Sequence, residues 1–259
     1  MRMKKTLSFQ RLLLLSLAAL VLCLAACKKE PDLPDDPHVP LVNPFVGVWS
    51  AGGNAAAPEY WEFRRDGTGG RAAAQAGPFP DDFNFFIYAG QDVRTAPPEG
   101  SLIIIDAAAV TRYEFSIAEG HHRTATLNQG GGGGVSLTLD QISGEPQALS
   151  LKNPLIGEWS ADWSLPGNEH NSYSAWSLKY RADGTLKVFH QGVGHQFENA
   201  YALRESTLVI FGEYRYSDIP VAAQIHKQEN GAWHVQETQS TYGMAEWFYK
   251  KVNAAKWKE

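Results

Sequence analysis

Cysteine is nearly absent from this chain: there are two in 259 residues, Cys23 and Cys27. A disulfide-stapled scaffold and a multi-thiolate zinc site both need more. The signatures of common catalytic machinery are missing as well. Neither a Gly-x-Ser-x-Gly elbow nor a His-Glu-x-x-His pair occurs. The glycine run Gly130 to Gly134 is followed by Val135-Ser136, not by the Lys-Ser or Lys-Thr of a phosphate-binding loop. It reads instead as the loop of a hairpin. Beyond residue 26 no segment keeps a helical apolar period long enough to compete with strand patterns. The formal charge of −5 provides no basic surface for nucleic acid.

What is present begins at the amino terminus. Met1-Arg2-Met3-Lys4-Lys5 precedes an apolar run from Leu12 to Ala26, which ends in Leu24-Ala25-Ala26-Cys27. A charged start followed by an apolar stretch shorter than a full membrane span has the form of a secretory leader. The last four residues resemble the bacterial lipobox. That resemblance implies cleavage before Cys27, a diacylglyceryl group on its thiol and usually an acyl chain on the new amino terminus. Two or three such chains hold a protein to a bilayer far more firmly than one. On this reading residues 1–26 are the signal peptide, and the mature protein is lipid-anchored to a bacterial membrane in the cell envelope, outside the cytoplasm. The lack of an acidic residue directly after Cys27 resembles outer-membrane sorting. Residues 1–26 carry Arg2, Lys4, Lys5 and Arg11 and no acid, so cleavage takes the net charge from −5 to −9. No cysteine then remains for a disulfide, and the folded part depends on its core.

Prolines 31, 34, 37 and 40 fall every third residue after the anchor. Polyproline II has three residues per turn, so residues 27–42 read as an extended tether, with docking of a proline-reading partner as the alternative. At about 3.1 Å per residue this spacer would reach on the order of 40 Å.

Beyond the tether the chain repeats itself. Asn43-Pro44-Phe45-Val46-Gly47-Val48-Trp49-Ser50-Ala51 returns as Asn153-Pro154-Leu155-Ile156-Gly157-Glu158-Trp159-Ser160-Ala161. Phe63-Arg64-Arg65-Asp66-Gly67-Thr68 returns as Tyr180-Arg181-Ala182-Asp183-Gly184-Thr185. The offsets of 110 and 117 residues suit a duplicated domain better than a solenoid unit. Two domains follow, residues 43–150 and 153–259.

Both copies read as β throughout. Trp61 and Phe63 alternate with polar residues ahead of Asp66-Gly67, as Trp176, Leu178 and Tyr180 do ahead of Asp183-Gly184, a hairpin pattern. Later strands are expected at Phe83 to Tyr88, Leu102 to Ile105, Tyr113 to Ile117, Arg123 to Asn128 and Val135 to Leu139. In the second copy they fall at Leu186 to His190, Phe197 to Leu203, Leu208 to Phe211, Val221 to His226, Trp233 to Gln236 and Ala245 to Tyr249. With the Gly-x-Trp strand each copy has about eight. The fold class is all-β, two tandem small antiparallel up-and-down barrels, since closure removes the exposed edges. A flattened sandwich is the alternative, above all for the first copy.

Gly47-x-Trp49 and Gly157-x-Trp159, each followed by an Asp-Gly-Thr hairpin and a meander, resemble lipocalin-like domains. The resemblance implies that each Trp closes a barrel floor against a basic residue of the last strand. Lys250 or Lys251 fits that place in the second copy. The first copy has no basic residue from Val135 to Ser143.

Candidate chemistry is sparse. The adjacent His121 and His122 would point to opposite faces of a strand and cannot share an ion. His190 and His195, with Glu169-His170, read as solvated histidines before they read as metal ligands. Asp35-Asp36 and Asp81-Asp82 sit beside prolines in turns. No cofactor, no metal site and no enzymatic activity are expected. Trp163, Trp176, Trp233 and Trp247 with Tyr173, Tyr180 and Phe189 crowd the second copy. A barrel lined by such rings can take an apolar small molecule, with Trp176, Tyr180 and Trp233 as its contacts. The alternative is a surface interaction, adhesion or envelope structural module with filled barrels, its first candidate contact loop being Ser164 to Ser172. One prediction concerns the anchor. Cys27→Ala should move the protein from the membrane pellet to the soluble fraction after cell lysis; a variant still in the pellet contradicts acylation at Cys27.

Overall fold

The computed structural model describes residues 38–52, 59–90, 95–107, 109–130, 135–164, 173–190, 194–212, 220–237 and 246–251. Cys27, the expected signal peptide and most of the expected tether lie outside the described residues. So do residues 165–172, which make up nearly all of the candidate contact loop.

A short strand β1 (Val42–Asn43) precedes the first barrel. That barrel consists of β2 (Gly47–Gly52), β3 (Glu59–Phe63), β4 (Thr68–Ala72), β5 (Phe83–Tyr88), β6 (Glu99–Asp106), β7 (Val110–Ala118), β8 (Thr124–Gln129) and β9 (Ser136–Ser143). After β10 (Gln147–Ala148) the second barrel follows: β11 (Gly157–Ser164), β12 (Tyr173–Tyr180), β13 (Thr185–His190), β14 (His195–Arg204), β15 (Thr207–Gly212), β16 (Val221–Lys227), β17 (Trp233–Glu237) and β18 (Glu246–Lys251). Each set of eight is antiparallel, follows chain order and closes, β2 on β9 and β11 on β18. The all-β, two-barrel expectation therefore holds, and the sandwich alternative does not. Closure leaves neither barrel a free edge strand.

Side-chain alternation explains why these segments sit as they do. Trp61 and Phe63 on β3, Phe83, Phe85 and Ile87 on β5, and Leu102 and Ile104 on β6 all belong to one buried core. The repeated Asp-Gly-Thr works as a turn in both copies. Asp66 Oδ1 accepts from the Thr68 amide (3.0 Å) and hydroxyl (2.7 Å), and Asp183 Oδ1 does the same for Thr185 (3.1 and 2.8 Å). The glycine between them has φ of 80° at Gly67 and 85° at Gly184, the left-handed region where a side chain costs energy.

The floors are built from the other repeated segment. Asn43 Oδ1 accepts from the Phe45 amide (2.9 Å) and Asn153 Oδ1 from the Leu155 amide (3.0 Å), which turns the chain inward. Phe45 and Leu155 become fully buried plugs. Trp49 Nε1 donates to Phe45 O (2.7 Å) and Trp159 Nε1 to Leu155 O (2.6 Å). A cation covers each indole. In the second barrel it is Lys251 of the last strand, 5.9 Å from the Trp159 ring. In the first barrel it is Arg123, in the lead-in to β8, 6.0 Å from the Trp49 ring, with Nη1 donating to Pro44 O (2.8 Å). The base absent from the last strand comes from the one before it.

The barrels pack against one another. Phe86, Ile103 and Ile105 on the outside of β5 and β6 meet Ala200, Ala202, Val209 and Phe211 on the outside of β14 and β15. Arg204 Nη1 donates to Asn84 Oδ1 (3.2 Å), and the Tyr88 ring stands edge-on to Phe211 at 5.5 Å. β5 and β14 thus run past each other in opposite senses. Each is the fourth strand of its barrel, so equivalent faces meet, as in a two-fold dimer. Leu149 and Leu151 of the connection are buried, with Ser150 N–H donating to Arg65 O (2.7 Å) and Leu151 N–H to Ala182 O (2.7 Å). The segment just before the first barrel joins this seam. Leu41 is buried and its amide donates to Asp183 Oδ2 (2.9 Å), while β1 pairs with β10.

Val209 is fully buried in the seam. Val209→Asp places an unpaired carboxylate there and should cost about 3 kcal/mol or more. Urea unfolding followed by tryptophan emission and far-ultraviolet dichroism is expected to show one transition in the native chain and two in the variant. A single unshifted transition in the variant contradicts a coupling seam.

Candidate functional site

In the second barrel, β12, β17 and β18 bring the crowded aromatics inward at different heights. Tyr180, next to the floor turn, is 1% exposed; its hydroxyl lies 3.1 Å from that of Tyr249 and its ring stands edge-on to Tyr201 at 4.7 Å. Tyr201 donates to Arg181 O (2.9 Å) and accepts from Asn153 Nδ2 (3.3 Å), and burial drives its phenol pKa far above the ordinary value. Trp233 is half-buried, opposite Tyr249 in the ladder. Trp176 lies towards the other end of the barrel, stacked on His190 at 4.1 Å and edge-on to Trp247 at 5.9 Å.

A cavity of about 20 Å³ lies among these rings, lined by Leu178, Leu186, Val188, Val235, Trp247 and Glu237, among others. Trp176, Tyr180 and Trp233 are not among its described lining residues. The volume suits one water, whereas pockets for drug-sized ligands run to about 300–1,000 Å³. Glu237 is 4% exposed and accepts from Trp247 Nε1 (2.7 Å). A single carboxylate at an inward position of an otherwise apolar strand is visible in Trp233-His234-Val235-Gln236-Glu237, but the sequence analysis did not single it out.

The first barrel has a different interior. Phe45, Phe63, Phe83, Phe85 and Phe115 interlock, with centroid separations of 5.4 Å for Phe45–Phe63, 5.0 Å for Phe45–Phe115 and 4.9 Å for Phe63–Phe85. Above them Trp61 faces Arg71 across the β3–β4 ladder. The Arg71 guanidinium carbon lies 4.6 Å from the Trp61 ring centre and 5.0 Å from that of Phe83. Trp61 Nε1 donates to Glu59 Oε2 (2.8 Å). Tyr113 on β7 is half-buried and packs on the same core. Burial raises its pKa; Arg71 opposes the rise, and Asp106 and Glu59 add to it. The sequence analysis looked for rings in the second copy and missed this group. The available signal was Trp61 and Arg71 at matching positions on either side of a hairpin.

The remaining candidates are simpler. His121 and His122 are exposed in the turn before β8. His190 and His195 are ladder partners, and burial with the neighbouring His195 lowers the His190 pKa. Glu169-His170 lies outside the described residues, and among those described no group of three metal-binding side chains forms. Asp81 pairs with Arg64, while Asp82 accepts the Arg71 backbone amide (2.9 Å). Asp35-Asp36 lies outside the described residues.

The two interiors should respond differently to added methyl groups. Ala223 lines the small cavity and Ala125 is fully buried in the aromatic barrel. Ala223→Val should cost less than about 1 kcal/mol or stabilise, while Ala125→Val should cost about 1–3 kcal/mol by overpacking, as read from urea midpoints. No family model matches the chain, and no curated protein matches it.

Proposed function

We propose that this protein is a lipid-anchored, non-enzymatic module of the bacterial cell envelope, held through Cys27 to a membrane, the outer one by its sorting pattern. Its two lipocalin-like barrels serve as packed scaffolds that meet partners at their ends and loops. The observation that carries this choice is the filling of the interiors among the described residues: interlocked rings in one barrel and a water-sized cavity in the other. A packed core resists opening for a ligand, because expansion forfeits contacts on every side. The acidic mature surface argues against nucleic acid as a partner.

A second reading has one observation in its favour. The cavity in the second barrel is walled mainly by apolar side chains, close to the ring of Trp247. A small apolar ligand there would have Trp176 above it and Tyr180 and Trp233 towards the floor.

Native mass spectrometry of the protein extracted in mild detergent separates the two readings. The packed-scaffold reading expects the mass of the chain from Cys27 onward plus its acyl groups and nothing else at stoichiometric level. A stoichiometric apolar compound, lost on Val235→Trp, contradicts that reading and supports the second.

A further inference from the structure

Seven arginines fall within the described residues, and six of them donate hydrogen bonds or form ion pairs through the guanidinium. Arg64 binds Glu62, Arg112 binds Glu114, Arg123 binds Glu119 and Arg181 lies against Glu198. Arg65 donates to Ala148 O and Arg204 to Asn84 Oδ1. Arg71 is the exception. Its guanidinium carbon lies 4.6 Å from the Trp61 ring centre and 5.0 Å from that of Phe83, and among the described residues its N–H groups have no acceptor. The nearby carboxylates are otherwise engaged: Glu59 with the Trp61 indole, Asp81 with Arg64, and Asp82 with the Arg71 backbone amide.

The position makes that unusual. Arg71 shares the inward face of the barrel wall with Trp61, which is 4% exposed, while the arginine is itself half-buried. A cation drawn part-way out of water with its donors unused incurs a desolvation cost that ring stacking offsets only in part. Tyr113, also on the inward face and packed on the same core, brings a hydroxyl with no hydrogen-bond partner among the described residues, and the Arg71 charge favours its ionised form.

We propose that the mouth of the first barrel is a binding site for a monocarboxylate, gripped by the Arg71 fork with the Tyr113 hydroxyl donating beside it. A planar guanidinium matches a planar carboxylate with two parallel hydrogen bonds. The filled aromatic core below leaves no depth for a long chain, so the ligand's body lies across the mouth. Glu59, bonded to the Trp61 indole, and Asp106, opposite Phe83 in the β5–β6 ladder, flank the site and select against ligands carrying several negative charges. This is a surface site at the end of a solid barrel. It goes beyond the proposed function and stands whether or not the second barrel holds a ligand.

The test is equilibrium dialysis of the full mature protein against 1-naphthylacetate and its neutral amide, 1-naphthylacetamide. The acid is expected to bind one per chain, and the amide about tenfold or more weakly, since only the charged head uses the fork. Arg71→Met should weaken the acid about tenfold and leave the amide unchanged, with Arg71→Lys between. Tyr113→Phe should weaken the acid about threefold, and it removes only one oxygen, so it serves even where Arg71→Met fails to fold. Equal binding of acid and amide, acid binding indifferent to both substitutions, or no binding of the acid at millimolar concentration each overturns the proposal.

Discussion

The indole hydrogen of the first-strand tryptophan, given to a carbonyl four residues upstream, is the contact on which each barrel depends. Trp49 makes it to Phe45 and Trp159 to Leu155. A buried indole N–H without an acceptor is costly, and this bond meets that need while pinning the chain across the barrel end. The pinned segment carries the plug, the plug seals the floor, and the sealed floor keeps water from the rings above. The asparagine before each plug has a matching job, since its side chain takes the plug's amide and turns the chain inward. Three residues in each copy, the asparagine, the plug and the tryptophan, thus explain why this segment occurs twice while most of the chain between the copies has diverged.

Duplication also explains the seam. Fourth and fifth strands of both barrels meet through the same outer faces, the geometry of a symmetric dimer made within one chain. The connecting segment, its leucines buried between the two Asp-Gly-Thr turns, fixes the register of that pairing. With Leu41 bonded to Asp183, the segment just before the first barrel is held by both halves.

The interiors have separated while the frames have not. The first barrel fills its volume with phenylalanines and tops them with an arginine on a tryptophan. The second replaces several of those rings with tyrosines whose hydroxyls bond one another or the backbone, and keeps a small apolar void beside Glu237. The same closed sheet tolerates both solutions because strand pairing, not the contents, holds the wall.

The sequence by itself determined the class, the duplication and most strand positions. Phe83–Tyr88 was readable to the residue because alternation and β-branched or aromatic content act locally. The turns were readable because Asp-Gly-Thr satisfies its own hydrogen bonds. Tertiary structure alone decided the rest. β4 was hidden behind Gly69-Gly70, poor strand formers that are present because the Phe83 ring leaves no room for a side chain at Gly69. Arg123 became the partner of Trp49, although it lies on no last strand, because barrel closure brings the seventh and first strands' ends together. The size of the cavity, the engagement of Glu237 and the seating of Arg71 on the Trp61 and Phe83 rings depend on which side chains meet across the interior. That is set by register around a closed ring and by volume, quantities that no local stretch of sequence contains.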